Sequence, residues 1–203
     1  MPLPDAPSGD RSPQGFRYLG EDVVFRGWRI DVVKARFEAP DGEQFDRDIV
    51  RHPGAVAVVA VTDRSSALLV RQYRGSLDRE LLELPAGTMD VEGESSETAA
   101  RRELEEEAGV TARHVRLLAS TVNTPGFCDE VTELFLATRL GGVPHNRHGA
   151  EELAIEVVEV ALAEVPAKIA SGEIVDAQTI IGLLLARDVL DVASAAGEAA
   201  GGP

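Results

Sequence analysis

Glu103, Glu106 and Glu107 stand at i, i+3 and i+4 in the run Arg102-Glu103-Leu104-Glu105-Glu106-Glu107-Ala108-Gly109-Val110. On a helix that spacing puts three carboxylates on one face, with Glu105 turned away into solvent. Like charges so placed repel, and a bound cation reverses the sign of that interaction. All-oxygen donors suit hard divalent cations such as Mg²⁺ or Mn²⁺, and Mg²⁺ commonly bridges protein carboxylates to substrate phosphates. The residue types therefore point to phosphate chemistry. A solvated acidic face is the alternative for any Glu-rich helix.

The wider spacing selects between these readings. Gly87 is followed after six residues by Glu94, and Glu94 after seven by Arg102. Ser95 or Ser96 is a candidate N-cap and Gly109 a candidate stop. This pattern resembles the box of the Nudix hydrolases, which cleave a nucleoside diphosphate linked to another group. The family usually has five residues where this chain has six, so the extra residue falls in the loop before the helix.

The resemblance implies a set of roles. Glu103, Glu106 and Glu107 would hold Mg²⁺ or Mn²⁺, with Glu106 also counted among the catalytic groups. Ala86 would offer its backbone carbonyl to a metal. Gly87, Glu94, Arg102 and Gly109 would be structural, Arg102 pairing with a box carboxylate. Such metals neutralise a polyanionic pyrophosphate and activate water.

Pro125 lies fifteen residues beyond the box, in Thr124-Pro125-Gly126-Phe127-Cys128-Asp129-Glu130. By resemblance this marks the ADP-ribose pyrophosphatase subfamily. Gln72-Tyr73-Arg74, Leu84-Pro85-Ala86-Gly87 and Gly172-Glu173-Ile174-Val175-Asp176-Ala177-Gln178-Thr179 agree. The implied reaction is hydrolysis of ADP-ribose to AMP and ribose 5-phosphate. Alternatives are an ADP-sugar, a GDP-sugar or a dinucleotide as substrate, or a domain that senses a nucleotide without cleaving it. Pro125 and Gly126 join Trp28, Arg51 and Arg74 as candidate substrate contacts, with Arg71 a further phosphate candidate. Guanidinium groups bind phosphate oxygens bidentately, and an indole can stack on adenine. Trp28 serves equally as a packing residue. Subfamily resemblance puts the proton acceptor on a loop before a late strand, where Glu151 and Glu152 are the candidates. His145 and His148 lie beside them.

These residues need a scaffold. Trp28–Val50 reads as a β-hairpin turning at Ala39-Pro40-Asp41-Gly42. Ala55–Val61 is a continuous apolar run suited to a buried strand, with Leu68–Tyr73 its antiparallel partner. Further strands are expected at Val115–Thr121, Val131–Thr138 and Ile155–Val160, and helices at Leu162–Ser171 and Ala177–Val192. This order predicts an α/β fold, a mixed sheet between helices. The resemblance makes it the Nudix α/β/α sandwich, with a small N-terminal β-domain swapped in a homodimer. The expected organisation is a disordered segment 1–15, the β-domain at 16–50, the catalytic domain at 51–192 and a flexible tail at 193–203.

Composition agrees with a small-molecule enzyme. The 203 residues include 20 Lys plus Arg against 35 Asp plus Glu, a formal charge of −15. Such a balance disfavours nucleic acid as partner. Cys128 is the only cysteine, which excludes an internal disulfide and reads as an ordinary thiol in a reducing compartment. No apolar run reaches the ~20 residues of a membrane span and no signal peptide is visible, so a cytoplasmic protein is expected.

Overall fold

The computed structural model describes residues 10–144 and 154–200, with side chains to residue 191. It divides into two compact units, one comprising the described residues up to Gly54 with Val122–Val131, the other Ala55–Thr121 with the described residues from Thr132.

The first unit is a three-stranded antiparallel sheet, β1 (Arg17–Arg26), β2 (Asp31–Glu38) and β3 (Gln44–Arg51), in that order. β2 and β3 form the hairpin foreseen from the Pro-Asp-Gly turn, with Gly42 at φ 89°. β1 had no counterpart in the sequence reading. Its register slips between Tyr18 and Gly20 and again between Val23 and Phe25. Bulges of this kind break the period-2 pattern that identifies a strand. Phe16, Phe37 and Phe45 form a small aromatic cluster, Phe37 and Phe45 stacked at 5.5 Å.

Two features of this unit lie across the expected domain boundaries. Residues 10–15, assigned to a disordered segment, form a turn in which Gly15 N–H donates to Ser12 O at 2.8 Å and Arg11 pairs with Glu38. The Pro125 loop also belongs to this unit rather than to the box-bearing one. Val50 N–H donates to Phe127 O (2.7 Å) and Asp129 N–H to Val50 O (3.2 Å), which tie the loop to β3. Sequence order could not reveal a pairing across more than 70 residues.

The second unit holds β4 (Ala55–Val61), β5 (Ser66–Arg74), β6 (Arg79–Glu83), β7 (Ala86–Thr88), β8 (Val110–Val122), β9 (Val131–Gly142) and β10 (Glu156–Ala161). The order is β10-β5-β4-β9-β8, with β6 on β5 and β7 on β4. β4 runs parallel to β9 and antiparallel to β5 and β7, so the sheet is mixed. The helices are α1 (Ser96–Ala108), α2 (Val165–Ala170) and α3 (Ala177–Ala200).

β4 explains the layers. Val56, Val58 and Ala60 pack with Ala99, Ala100, Leu104 and Ala108 of α1. Ala57, Val59 and Val61 pack with Leu183 and Ala186 of α3. A strand covered on both faces must be apolar at every position, which is why Ala55–Val61 does not alternate. Gly182 lets α3 approach closely: a Cβ there would lie 2.8 Å from Leu84 Cδ1 and 3.0 Å from Val59 Cγ2. The α/β/α sandwich is thus present.

The backbone of α3 continues as helix to Ala200, through most of the segment expected to be a flexible tail. Its Ala-rich sequence has high helix propensity, which outweighs the single Gly197. No helix among the described residues is long and apolar enough to cross a membrane.

Candidate active site

α1 is fixed at both ends by its own sequence. Ser95 is the N-cap, its hydroxyl accepting from Thr98 N–H at 3.2 Å, and Glu97 lies in the first turn. Gly109 ends the helix at φ 65°, a left-handed conformation that suits glycine. Between them the helix buries Ala99, Ala100 and Leu104 against the sheet, and also Glu103 (8% exposed) and Glu107 (6%).

Buried carboxylates need partners. Ala86 N–H donates to Glu107 Oε2 at 3.0 Å, joining β7 to α1. The Glu103 carboxylate packs against Gly87 and lies where a Cβ at that position would be. Arg102 donates to Glu94 (3.2 and 3.1 Å), to Glu106 (3.2 Å) and to Glu103. The Glu94 hydrogen bonds, and then Glu103, lift the Arg102 guanidinium above its ordinary value despite burial. The additional residue before Glu94 therefore leaves Glu94 within reach of the helix. Glu105 is exposed.

The strand leading into the site is held from both sides. Val58 N–H donates to Pro85 O (2.9 Å), and Leu84 N–H to Thr179 Oγ1 (2.9 Å). Thr179 is itself bound to Asp176, through N–H at 2.8 Å and Oγ1 at 2.7 Å, at the start of α3. Ala86 and Gly87 thus sit on a segment fastened to the sheet and to α3, and they meet α1 directly.

Next to it lies a buried polar network that sequence reasoning missed. Glu83, 4% exposed, accepts from Arg74 Nε (3.0 Å) and Nη2 (2.5 Å) and from Gln72 Nε2 (2.9 Å). Burial lowers the Arg74 pKa, but Glu83, with the charges of Glu107 and Asp176, raises it overall. A charge inside the apolar run Leu81-Leu82-Glu83-Leu84 was the available signal, since a buried carboxylate requires pairing.

The other sequence candidates lie as follows. Trp28 is 91% exposed, with the Arg29 guanidinium 4.6 Å from its ring, so it is not a core residue of its unit. Arg51 is held by Glu21 and by Asp129 (2.9 Å), and lines a groove of about 370 Å³ with Trp28, Ile30 and His52. Pro125 and Gly126 form the turn closed by Cys128 N–H to Thr124 O at 2.9 Å. Arg71 lies 3.7 Å from Glu156. Cys128 is a free, half-buried thiol. His145, His148, Glu151 and Glu152 lie outside the described residues.

The donor set can be tested against a hard divalent cation. Glu94, Glu103, Glu106 and Glu107 supply only oxygen, and Arg102 with the more distant Arg74 leaves negative charge in excess. Among the described residues no three carboxylates converge closely enough to ligate one ion, Arg102 lying between Glu103 and Glu106. Charge and donor type fit Mg²⁺ or Mn²⁺.

Fold and site together define an α/β/α sandwich domain whose carboxylate helix is laid against a Gly-containing strand. The chain belongs to the Nudix family: the NUDIX domain model matches residues 51–178. It is 40% identical over 161 residues to the ADP-ribose pyrophosphatase of Bacillus subtilis (strain 168), covering 79% of this chain and 86% of that protein. It is 35% identical over 169 residues to the ADP-ribose pyrophosphatase of Mycobacterium tuberculosis (strain ATCC 25618 / H37Rv), covering 83% and 82%. A solved structure described as an ADP compounds hydrolase superposes with TM-score 0.76 over 90% of this chain and 97% of that one. At 22% identity that likeness is one of fold.

Proposed function

We propose that this protein hydrolyses the pyrophosphate of ADP-ribose to AMP and ribose 5-phosphate, with Mg²⁺ or Mn²⁺ as cofactor. The observation that carries the chemistry is the meeting of the Ala86–Gly87 strand with Glu103 and Glu107 of α1. The choice of ADP-ribose is supported by the relatives, which share most of their length with this chain.

Glu103, Glu106 and Glu107 would hold the metal, with the Ala86 carbonyl as a further oxygen. A bound divalent cation supplies charge neutralisation and a water of lowered pKa. Arg102 positions Glu103 and Glu106 and limits their mutual repulsion. Glu151 or Glu152 would accept the proton of the attacking water. Trp28 would stack on adenine, while Arg51, Arg74, Pro125 and Gly126 would contact the remainder of the substrate.

A homodimer belongs to the same reading. Val24 (67% exposed) and Phe25 (60%) on β1 leave apolar surface that a second copy would cover. The single cysteine and the substrate suit a cytoplasmic setting.

The deciding experiment is a panel of ADP-ribose, ADP-glucose, GDP-mannose and a diadenosine polyphosphate, each with Mg²⁺ or Mn²⁺ and product identification. ADP-ribose should give the highest kcat/KM, with AMP and ribose 5-phosphate as products. A higher kcat/KM for another substrate would reassign it, and binding with no phosphate-bearing product would replace the enzyme with a sensor. Light scattering would test the dimer.

A further inference from the structure

With 35 acidic residues against 20 basic ones, a cluster of basic side chains is an exception on this chain. One occurs in the unit that carries α1. A pocket of about 320 Å³ is lined by Arg101 of α1, by Arg113, His114 and Arg116 of β8, and by Leu136 and Thr138 of β9. Among the described residues no carboxylate lines it.

Its cations differ in how they are held. Arg101 is fixed, donating from Nη1 to Ala112 O at 2.8 Å and from Nη2 to Glu97 Oε1 at 2.8 Å. Arg113 and Arg116 are exposed, and neither they nor His114 form an ion pair among the described residues. Arg101 stands roughly 200° around the helix from Glu103, so the pocket and the acidic face use different sides of α1.

We propose that this pocket is a second binding site, for a phosphate-bearing small molecule. Arg113 and Arg116 repel each other across one cavity while Arg101 is already paired with Glu97, and an oxyanion converts that repulsion into charge-assisted hydrogen bonds. Val115 of β8 also lines the pocket, and its half-buried apolar side chain suits an anion carried on an organic group rather than a bare ion. The rival explanation is that β8, at the end of the sheet order, carries arginines to discourage pairing with another edge. That explanation requires no saturable binding.

The test uses the full chain in EDTA, so that no divalent cation recruits phosphate to the acidic face. Inorganic phosphate is titrated against sodium chloride at matched ionic strength, followed by ¹H–¹⁵N spectra. The expected result is a saturable shift centred on Arg113–Arg116 that chloride does not reproduce. The Arg113→Ser/Arg116→Ser double variant should weaken binding by about tenfold or more. Arg113→Lys/Arg116→Lys should retain most of it. Shifts that do not saturate, that chloride matches, that centre elsewhere or that survive the serine substitutions would overturn the site. Melting curves verify the variants' fold, and the wild-type map decides the matter alone if a variant fails to fold.

Discussion

The carboxylate of Glu103 occupies the space where Gly87 would carry a side chain. A backbone strand and a buried acid are thereby packed closer than any other residue at position 87 would permit. Gly87 is consequently a steric requirement of the site, and its φ is not in the left-handed region.

Gly87→Ala should separate activity from stability. The group in the way is the end of a flexible side chain, so Glu103 moves and the backbone stays. Turnover should fall about 10–100-fold, as for a disturbed metal shell, while Tm changes by only a few degrees. Unchanged turnover in a folded variant would show that the position of Glu103 is unimportant.

Glu106→Gln and Glu107→Gln should each lower turnover by roughly 100-fold with the melting curve preserved, as for loss of a metal ligand. Chelation should abolish activity in the wild type, and Mg²⁺ or Mn²⁺ should restore it. Activity that persists in excess EDTA would remove the metal from the mechanism.

Arg102→Gln should destabilise the protein. It removes charged hydrogen bonds to Glu94, Glu103 and Glu106 at once. The cost should be about 2 kcal/mol, a fall of roughly 4–8 °C in Tm. Glu94→Gln, which leaves Arg102 its two helix partners, should cost less. Equal Tm values for both variants and the wild type would mean that the cluster contributes nothing to folding.

Arg74→Ala tests two roles at once. Glu83, 4% exposed, would keep only the Gln72 amide among its described partners. An uncompensated buried carboxylate costs about 3 kcal/mol. Thermal melting should record that loss without any substrate present. An altered KM with an unchanged Tm would instead make Arg74 purely a substrate contact.

Glu21 should give the N-terminal sheet an acid-sensitive contribution. Hydrogen bonding to Arg51, and further to Tyr18, holds its carboxyl below the ordinary range. The folded value lies below the unfolded one, so the stabilisation is complete above the unfolded pKa and is lost as pH falls through the folded pKa. The Tm gap between wild type and Glu21→Gln should be constant near pH 7 and close below about pH 4. A gap that does not change with pH would exclude the effect.

Much of this arrangement was legible along the chain. Local signals fixed α1: a serine cap, a glycine stop and three glutamates at helical spacing. The apolar run of β4 announced a strand buried on both faces, and the order of elements gave the sandwich. β1 was not legible, because its bulges erase the alternation on which strand recognition depends. Nor was the end of the Pro125 loop, since strand pairing between Val50 and the Phe127–Asp129 segment joins residues far apart in sequence.

By itself, then, the sequence marked out the candidates for chemistry, because residue type and helical period are local properties. Spacing marked Gly87, Glu94, Arg102, Glu103, Glu106 and Glu107, and the family resemblance added Ala86. Only the tertiary structure decided their partners: Glu103 against Gly87, Glu107 on the Ala86 amide, Arg102 among three acids, and Arg74 committed to a buried Glu83. Those pairings arise because the sheet and α3 fasten one strand beneath α1, and burial then forces each charge to find a counterpart close at hand.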